Sequence, residues 1–126
     1  MKIIGAVPFR ETWIWGEVVS FYDVLPRFRS HRAGDDIVFS VAVMLFNEEG
    51  DRGDYHLVIE MTDPEGETLY KSTSTVPAGD AGCYTMQIQT IAAEITGPGL
   101  YHLDISLEDT EAISLPLIFT AKEENS

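Results

Sequence analysis

At 126 residues the chain has the usual length of a single domain and can bury about two thirds of its unfolded surface without disulfides or metals. Eight Lys and Arg against 21 Asp and Glu leave a formal charge of −13, which repels phosphate backbones and excludes nucleic acid as an expected partner. No apolar run approaches the ~18 residues of a membrane span, and the single cysteine, Cys83, excludes an internal disulfide.

The chain opens with a short apolar patch behind Lys2, broken by Pro8 and Arg10 before it reaches the ~7–15 residues of a secretory signal core. A cytoplasmic protein with no membrane partner is therefore expected. Residues 13–24 are aromatic and β-branched and suit one or two strands interrupted near Gly16, with Trp13, Trp15, Phe21 and Tyr22 assigned to the core. Leu25 to Gly34, with Pro26 and several basic residues, reads as a loop. Asp36 to Phe46 sets Ile37, Phe39, Val41, Val43 and Leu45 on one face and only Ser40 as a polar residue on the other, which predicts a central strand covered on both faces.

Asn47 to Asp54 is a turn with two glycines. The clearest structural signal follows. Tyr55, Leu57, Ile59 and Met61 alternate with His56, Val58, Glu60 and Thr62, and Asp63-Pro64-Glu65-Gly66 then turns the chain into a second strand. Counting back from a three-residue bulged loop pairs Met61 with Leu69, Ile59 with Lys71 and Leu57 with Thr73. The second strand, Leu69 to Ser74, thereby loses its inward apolar face and reads as a sheet edge.

The stretch from Lys71 to Gly82, with Pro77, reads as a connection. After it, Tyr84, Met86 and Ile88 are expected inward and Thr85, Gln87 and Gln89 outward, and Ile91 to Ile95 suits a single helical turn. The spacing Asp80, Gly82, Tyr84 is similar to the corner that leads into a late strand of immunoglobulin-like domains, with Met86 where antibody domains carry a cysteine. Gly97-Pro98-Gly99 stops the chain. Tyr101, Leu103, Ile105 and Leu107 then face inward with His102, Asp104, Ser106 and Glu108 outward. Asp109-Thr110-Glu111 turns into a last strand with Ile113, Leu115, Leu117 and Phe119 inward, whose Pro116 belongs at an edge or bulge.

About seven or eight short strands at this spacing predict an all-β, antiparallel, immunoglobulin-like β-sandwich: one domain over residues 1–121 and a polar tail over 122–126. The order of alternating strand, Asp63-Pro64-Glu65-Gly66, strand, Pro98-Gly99-Leu100-Tyr101 strand, acidic turn and a terminal strand with Leu115-Pro116-Leu117 resembles a family of small uncharacterised bacterial β-sandwich proteins. The resemblance covers the last two thirds of the chain. It implies a fold and carries over no functional residue.

Catalytic chemistry is not expected. Cys83 is the only thiol and has no histidine near it in sequence, so it reads as a small buried hydrophobe. His56 and His102, outward on their strands, could approach one another and bind zinc with Glu60 or Asp104, but lack the close ligand spacing of a zinc site. Asn47 to Asp54 lacks the order of a calcium loop, and Arg52-Gly53-Asp54 is an isolated tripeptide match to an integrin ligand. No cofactor is implied.

One segment runs against the acidic background. Arg27-Phe28-Arg29-Ser30-His31-Arg32 concentrates basic charge, and Arg27, Phe28, Arg29 and Arg32 are the candidate binding residues for an acidic or carboxylate-bearing partner. The expected function is that of a non-enzymatic interaction module. It would act on a protein partner, or on a second copy, through this basic loop or an exposed sheet edge. The alternative is a small-ligand or metal-binding sandwich domain using His56 and His102.

Overall fold

The computed structural model describes residues 1–9, 11–15, 18–22, 27–31, 36–108 and 111–121, of which 11–15, 18–22, 27–31, 111, 120 and 121 are described at the main chain alone. Among the described residues ten strands run in order: β1 Lys2–Phe9, β2 Glu11–Trp15, β3 Val18–Tyr22, β4 Arg27–His31, β5 Asp36–Phe46, β6 Asp54–Thr62, β7 Thr68–Pro77, β8 Tyr84–Glu94, β9 Gly99–Leu107 and β10 Glu111–Ala121. Among the described residues there is no helix, hence none long and apolar enough to cross a membrane.

Two layers carry the core. A three-stranded sheet has the order β1-β5-β8 and a five-stranded sheet the order β4-β10-β9-β6-β7, while β2 and β3 form a separate two-stranded ribbon. All pairings are antiparallel except β4 with β10, which is parallel. The all-β sandwich expected from strand spacing is therefore the architecture observed, with more strands than the alternation alone revealed.

Period-two alternation explains the core. On the five-stranded sheet the register sets Ile59, Ile105 and Ile113 in one cross-strand row and Met61, Leu103 and Leu115 in the next. These residues meet Ile37, Phe39, Val41, Val43 and Leu45 of β5 in one continuous apolar cluster. Each such side chain contributes roughly 1.5–3 kcal/mol when fully buried.

Two buried polar residues organise the loops. Asn47 donates from Nδ2 to the Cys83 carbonyl at 2.9 Å and to Thr85 Oγ1 at 3.0 Å, and accepts at Oδ1 from the Gly79 N–H at 2.8 Å. It thus pins the start of β8 to the end of β5. Asp63 Oδ1 accepts from the N–H groups of Glu65 and Glu67, each at 2.9 Å, and closes the β6–β7 turn. Pro64 of that turn packs on Gly99, where an added Cβ would meet the Pro64 ring at 2.8 Å.

That turn corrects the predicted hairpin register. The loop is longer than three residues: Asp63 N–H bonds the Glu67 carbonyl at 2.9 Å, Thr62 pairs with Thr68, and Met61 pairs with Tyr70, so that Leu69 is the bulged residue. Tyr70, Ser72, Ser74 and Val76 accordingly face inward in place of Lys71 and Thr73, while the bulged Leu69 still packs against the core. The strand also runs on to Pro77 through the stretch expected to be a connection, and its position at the edge of the sheet agrees with the sequence reading.

Further corrections follow the same logic. Residues 27–31 are strand β4 rather than loop; arginines suit an edge strand, where charge faces water and discourages unwanted pairing. The expected helical turn at Ile91 to Ile95 is the continuation of β8. The corner residue is Tyr101 rather than Tyr84. Its buried hydroxyl donates to the Gly97 carbonyl at 2.5 Å and accepts from the N–H groups of Gly97 at 3.1 Å and Thr96 at 3.2 Å, while its ring packs edge-on to Phe119 with centroids 4.6 Å apart. Pro116 sits in β10 opposite His102, and among the described residues the other side of the strand gains its partner, β4, only at Ile118.

Candidate binding face

The outer face of the three-stranded sheet is built by cross-strand rows. Lys2, Phe46 and Tyr84 form the first: the Lys2 ammonium lies 5.9 Å from the Phe46 ring centroid, and the Phe46 and Tyr84 rings are tilted with centroids 5.2 Å apart. Gly5, Met44 and Met86 form the second and Val7, Ala42 and Ile88 the third. Ser40 and Thr90 follow, their hydroxyls 3.3 Å apart, and then Val38 with Ala92. The face is apolar from Phe46 to Ile88.

A cleft opens in it. The register shift between Ile3 and Gly5 throws Ile4 outward as a bulge, and Gly5 places no side chain beside Met44. The resulting cleft of about 240 Å³ is lined by Ile4, Gly5, Ala6, Val7, Ala42, Met44 and Met86. A Cβ added at Gly5 would meet nothing within 4 Å, so the space is open above the main chain.

Among the described residues, four of the six large apolar side chains that are exposed belong to this region: Tyr84 at 62%, Ile88 at 39%, Val38 at 64% and Ile4 at 51%. This overturns the sequence expectation for β8. Thr85, Gln87 and Gln89 face inward and Tyr84, Met86 and Ile88 outward, because Ile91, Ala93 and Ile95 continue the odd-numbered side and are buried. The apolar residues change sides in mid-strand, and the packing of the second half sets the first. The polar half is accommodated by polar partners. Gln89 Nε2 donates to the Tyr70 hydroxyl at 2.9 Å, Ser74 Oγ lies 3.4 Å from Gln89 Oε1, and Thr85 accepts from Asn47. Reading β8 as one strand through to Ile95 would have revealed the inversion. The outer face of the central strand β5 is covered in part: Val38 is 64% exposed, whereas Ala42, and Phe9 beside Ser40, are buried.

The opposite surface, on the five-stranded sheet, is mostly polar, with Leu100 and Ile118, paired across β9 and β10, as an exposed apolar pair at one end. His56, Glu60, Lys71, Thr73, Thr75 and His102 are exposed or half-buried there, with Lys71 Nζ 3.8 Å from Glu60 Oε2 across the β6–β7 ladder. Such a surface pair is worth at most about 1 kcal/mol.

Comparison with known proteins bears on the fold. No family model and no curated protein matches the chain. Among solved structures it is similar to the C-terminal domain of Wzt, with a TM-score of 0.52 and 16% sequence identity over 97% of this chain and 74% of that one. The likeness is one of β-sandwich architecture.

The residues singled out by sequence are dispersed. Arg27, Phe28 and Arg29 lie on β4, whose main chain pairs with β10 at the opposite border of the five-stranded sheet from β7; their side chains, and Arg32 altogether, lie outside the described residues. The side chains of Trp13, Trp15, Phe21 and Tyr22 lie outside them too.

His56 stands beside Leu57, which pairs with Leu107, whereas His102 pairs with Thr62, six positions further along β6. At roughly 3.3 Å per residue the two imidazoles are about 20 Å apart. They cannot share a metal ion. Among the described residues no group of three or more His, Cys, Asp or Glu is placed to hold one.

In the Asn47 to Asp54 turn both ends of the Asn47 amide are engaged, as described above. Asp51 is also committed: it takes the Met1 ammonium, the Glu48 N–H at 2.7 Å and the Tyr55 hydroxyl at 2.8 Å. Arg52, Gly53 and Asp54 are exposed, with the Gly53 carbonyl holding the Ala78 N–H at 2.8 Å. Cys83, expected to be buried, is exposed at the entrance to β8.

Proposed function

We propose that the protein is a non-enzymatic contact module that binds through the outer face of β1-β5-β8 and the adjoining β8 border. The observation that supports this most is the gathering of Ile4, Val38, Tyr84 and Ile88, all exposed, on that face around a cleft, against the exposed pair Leu100 and Ile118 on the opposite sheet. Covering a side chain such as Val or Ile is worth roughly 1.5–3 kcal/mol, so a partner spanning the face gains from several at once. The arginine-bearing edge strand β4 is the second contact surface of the proposal, suited to acidic groups. A cytoplasmic protein partner remains the expected class.

The test is a comparison of captured partners from the native host. Wild type is set against Gly5→Leu, whose Cβ meets nothing within 4 Å and whose side chain occupies the cleft, against Ile88→Lys, which charges the face, and against a chain with Arg27, Arg29 and Arg32 replaced by serine. Loss of a partner with Gly5→Leu or Ile88→Lys assigns it to the apolar face. Loss with the serine chain assigns it to β4. An identical set of partners in all four samples contradicts the proposal.

A further inference from the structure

We propose that β8 is a self-recognition edge: two copies of this chain pair β8 with β8, antiparallel, about a two-fold axis at Gln89. Two three-stranded sheets would thereby become one continuous sheet. This rests on the contact-module reading and names its partner as a second copy.

The hydrogen-bonding parity of β8 is the first support. Asn47 N–H donates to the Cys83 carbonyl at 2.9 Å, and the β5–β8 register then runs without a shift from Phe46↔Tyr84 to Asp36↔Glu94. In an antiparallel ladder alternate residues bond the same neighbour. The odd-numbered residues of β8 therefore bond β5, and the N–H and C=O groups of Tyr84, Met86, Ile88, Thr90, Ala92 and Glu94 point to the border that no other strand covers among the described residues. Of these, the Thr90 carbonyl receives the Tyr70 hydroxyl at 3.2 Å and Gln89 Nε2 at 3.4 Å, and pairing with a second copy displaces the longer of the two.

The second support is the contrast among border strands. Natural sheets blunt their edges with Lys, Pro, bulges or inward charge. β1 carries Lys2, a bulge at Ile4 and Pro8; β7 carries Lys71, a bulge at Leu69 and Pro77; β4 carries Arg27 and Arg29. β8 reads Tyr-Thr-Met-Gln-Ile-Gln-Thr-Ile-Ala-Ala-Glu over 11 residues, with no Lys, Arg, Pro, Gly or register shift and one charge at its last position.

The third is self-complementarity. The end-to-end antiparallel register faces Tyr84 with Glu94 of the second copy, Met86 with Ala92, Ile88 with Thr90, and Gln89 with itself. Every even-numbered residue meets an even-numbered one, so the outward main-chain groups meet their counterparts. Large side chains meet small ones, and each Glu94 lies beside a tyrosine instead of a second carboxylate. The like charge of the two chains opposes association at long range, so added salt strengthens pairing.

The test is the molecular mass of the full chain by sedimentation equilibrium from low to high micromolar concentration, at low and moderate salt, for wild type and Ile88→Pro. The Ile88 N–H faces the border, so proline there leaves the β5 ladder intact. A wild-type mass rising to twice the monomer, more readily in salt, and a monomeric Ile88→Pro with an unchanged far-ultraviolet spectrum support the proposal. Where that spectrum changes, Met86→Lys takes its place. In a Cys83→Ser, Gln89→Cys chain, oxidation should give a covalent dimer through the residue on the axis. A monomeric wild type at every concentration, or a dimer that survives Ile88→Pro, overturns self-pairing. A monomer that still captures a host protein, and loses it with Ile88→Pro, overturns self-pairing alone; a monomer that captures nothing removes the contact-module reading as well.

Discussion

The Tyr70 hydroxyl donates to the main-chain carbonyl of Thr90 at 3.2 Å and accepts from Gln89 Nε2 at 2.9 Å, bridging β7 and β8, the neighbouring borders of opposite layers. Along this side the inner faces are polar, with Ser72, Ser74, Gln87 and Gln89 where apolar residues would normally meet. Hydrogen bonds across the gap take the place of apolar packing. Tyr70→Phe keeps the ring and removes both bonds, and is expected to lower stability by about 1 kcal/mol, read as a lower urea midpoint at unchanged slope.

Tyr101 is a stronger case because its hydroxyl is enclosed. Removing it leaves the Gly97 carbonyl and the N–H groups of Thr96 and Gly97 without the partner they share. Tyr101→Phe should destabilise the domain by about 2 kcal/mol although the contact with Phe119 survives. Chemical denaturation of the two proteins side by side measures the difference, and a change within error would place the corner's stability elsewhere.

Asn47 joins three segments through one buried amide. Asn47→Ala deprives the Gly79 N–H of its acceptor and Thr85 of its donor, and an expected loss of about 2–3 kcal/mol follows from leaving buried groups unpaired. Amide exchange at Gly79 should accelerate well before global unfolding. A protected Gly79 amide in the variant would show that another group holds it.

Asp51 gives the domain a defined acid response. Hydrogen bonding to the Met1 ammonium, and then to the Glu48 N–H, lowers its carboxyl from 3.8 to about 2. A depressed acid stabilises the fold fully where it is ionised in both states, and loses that contribution over the range where it is ionised in the fold but protonated in the unfolded chain. Its contribution is therefore complete above pH ~4 and lost as pH falls towards 2. The hydrogen bond that the Tyr55 hydroxyl donates to Asp51 raises the tyrosine in turn. Acid titration of stability for wild type and Asp51→Asn should show curves that differ above pH ~4 and converge towards pH 2. Parallel curves throughout would remove Asp51 from the acid response.

Much of the fold was legible because alternation and burial coincide in β5, β6, β9 and β10. Leu57, Ile59, Met61, Tyr101, Leu103, Ile105 and Leu107 are all buried where their period places them. The candidate face was not legible, because β8 holds two opposed alternations. Tyr84, Met86 and Ile88 form a plausible inward face by themselves, and only the burial of Ile91, Ala93 and Ile95 assigns the strand its orientation. The hairpin register failed by one residue because Asp63 caps a longer turn than a bulged three-residue loop requires. β4 was hidden by its arginines. No sequence signal separates an outward histidine at one end of a ladder from one at the other, so His56 and His102 needed the register itself.

The central claim is that β8 offers an open border with an apolar face beside it, and residue-resolved amide exchange on a dilute sample tests it most directly. Thr85, Gln87, Gln89, Ile91 and Ala93 should be protected by β5, while Met86, Ile88, Thr90 and Ala92 exchange orders of magnitude faster. Uniform protection along β8 in the monomer, or protection of the even-numbered amides alone, would contradict the account.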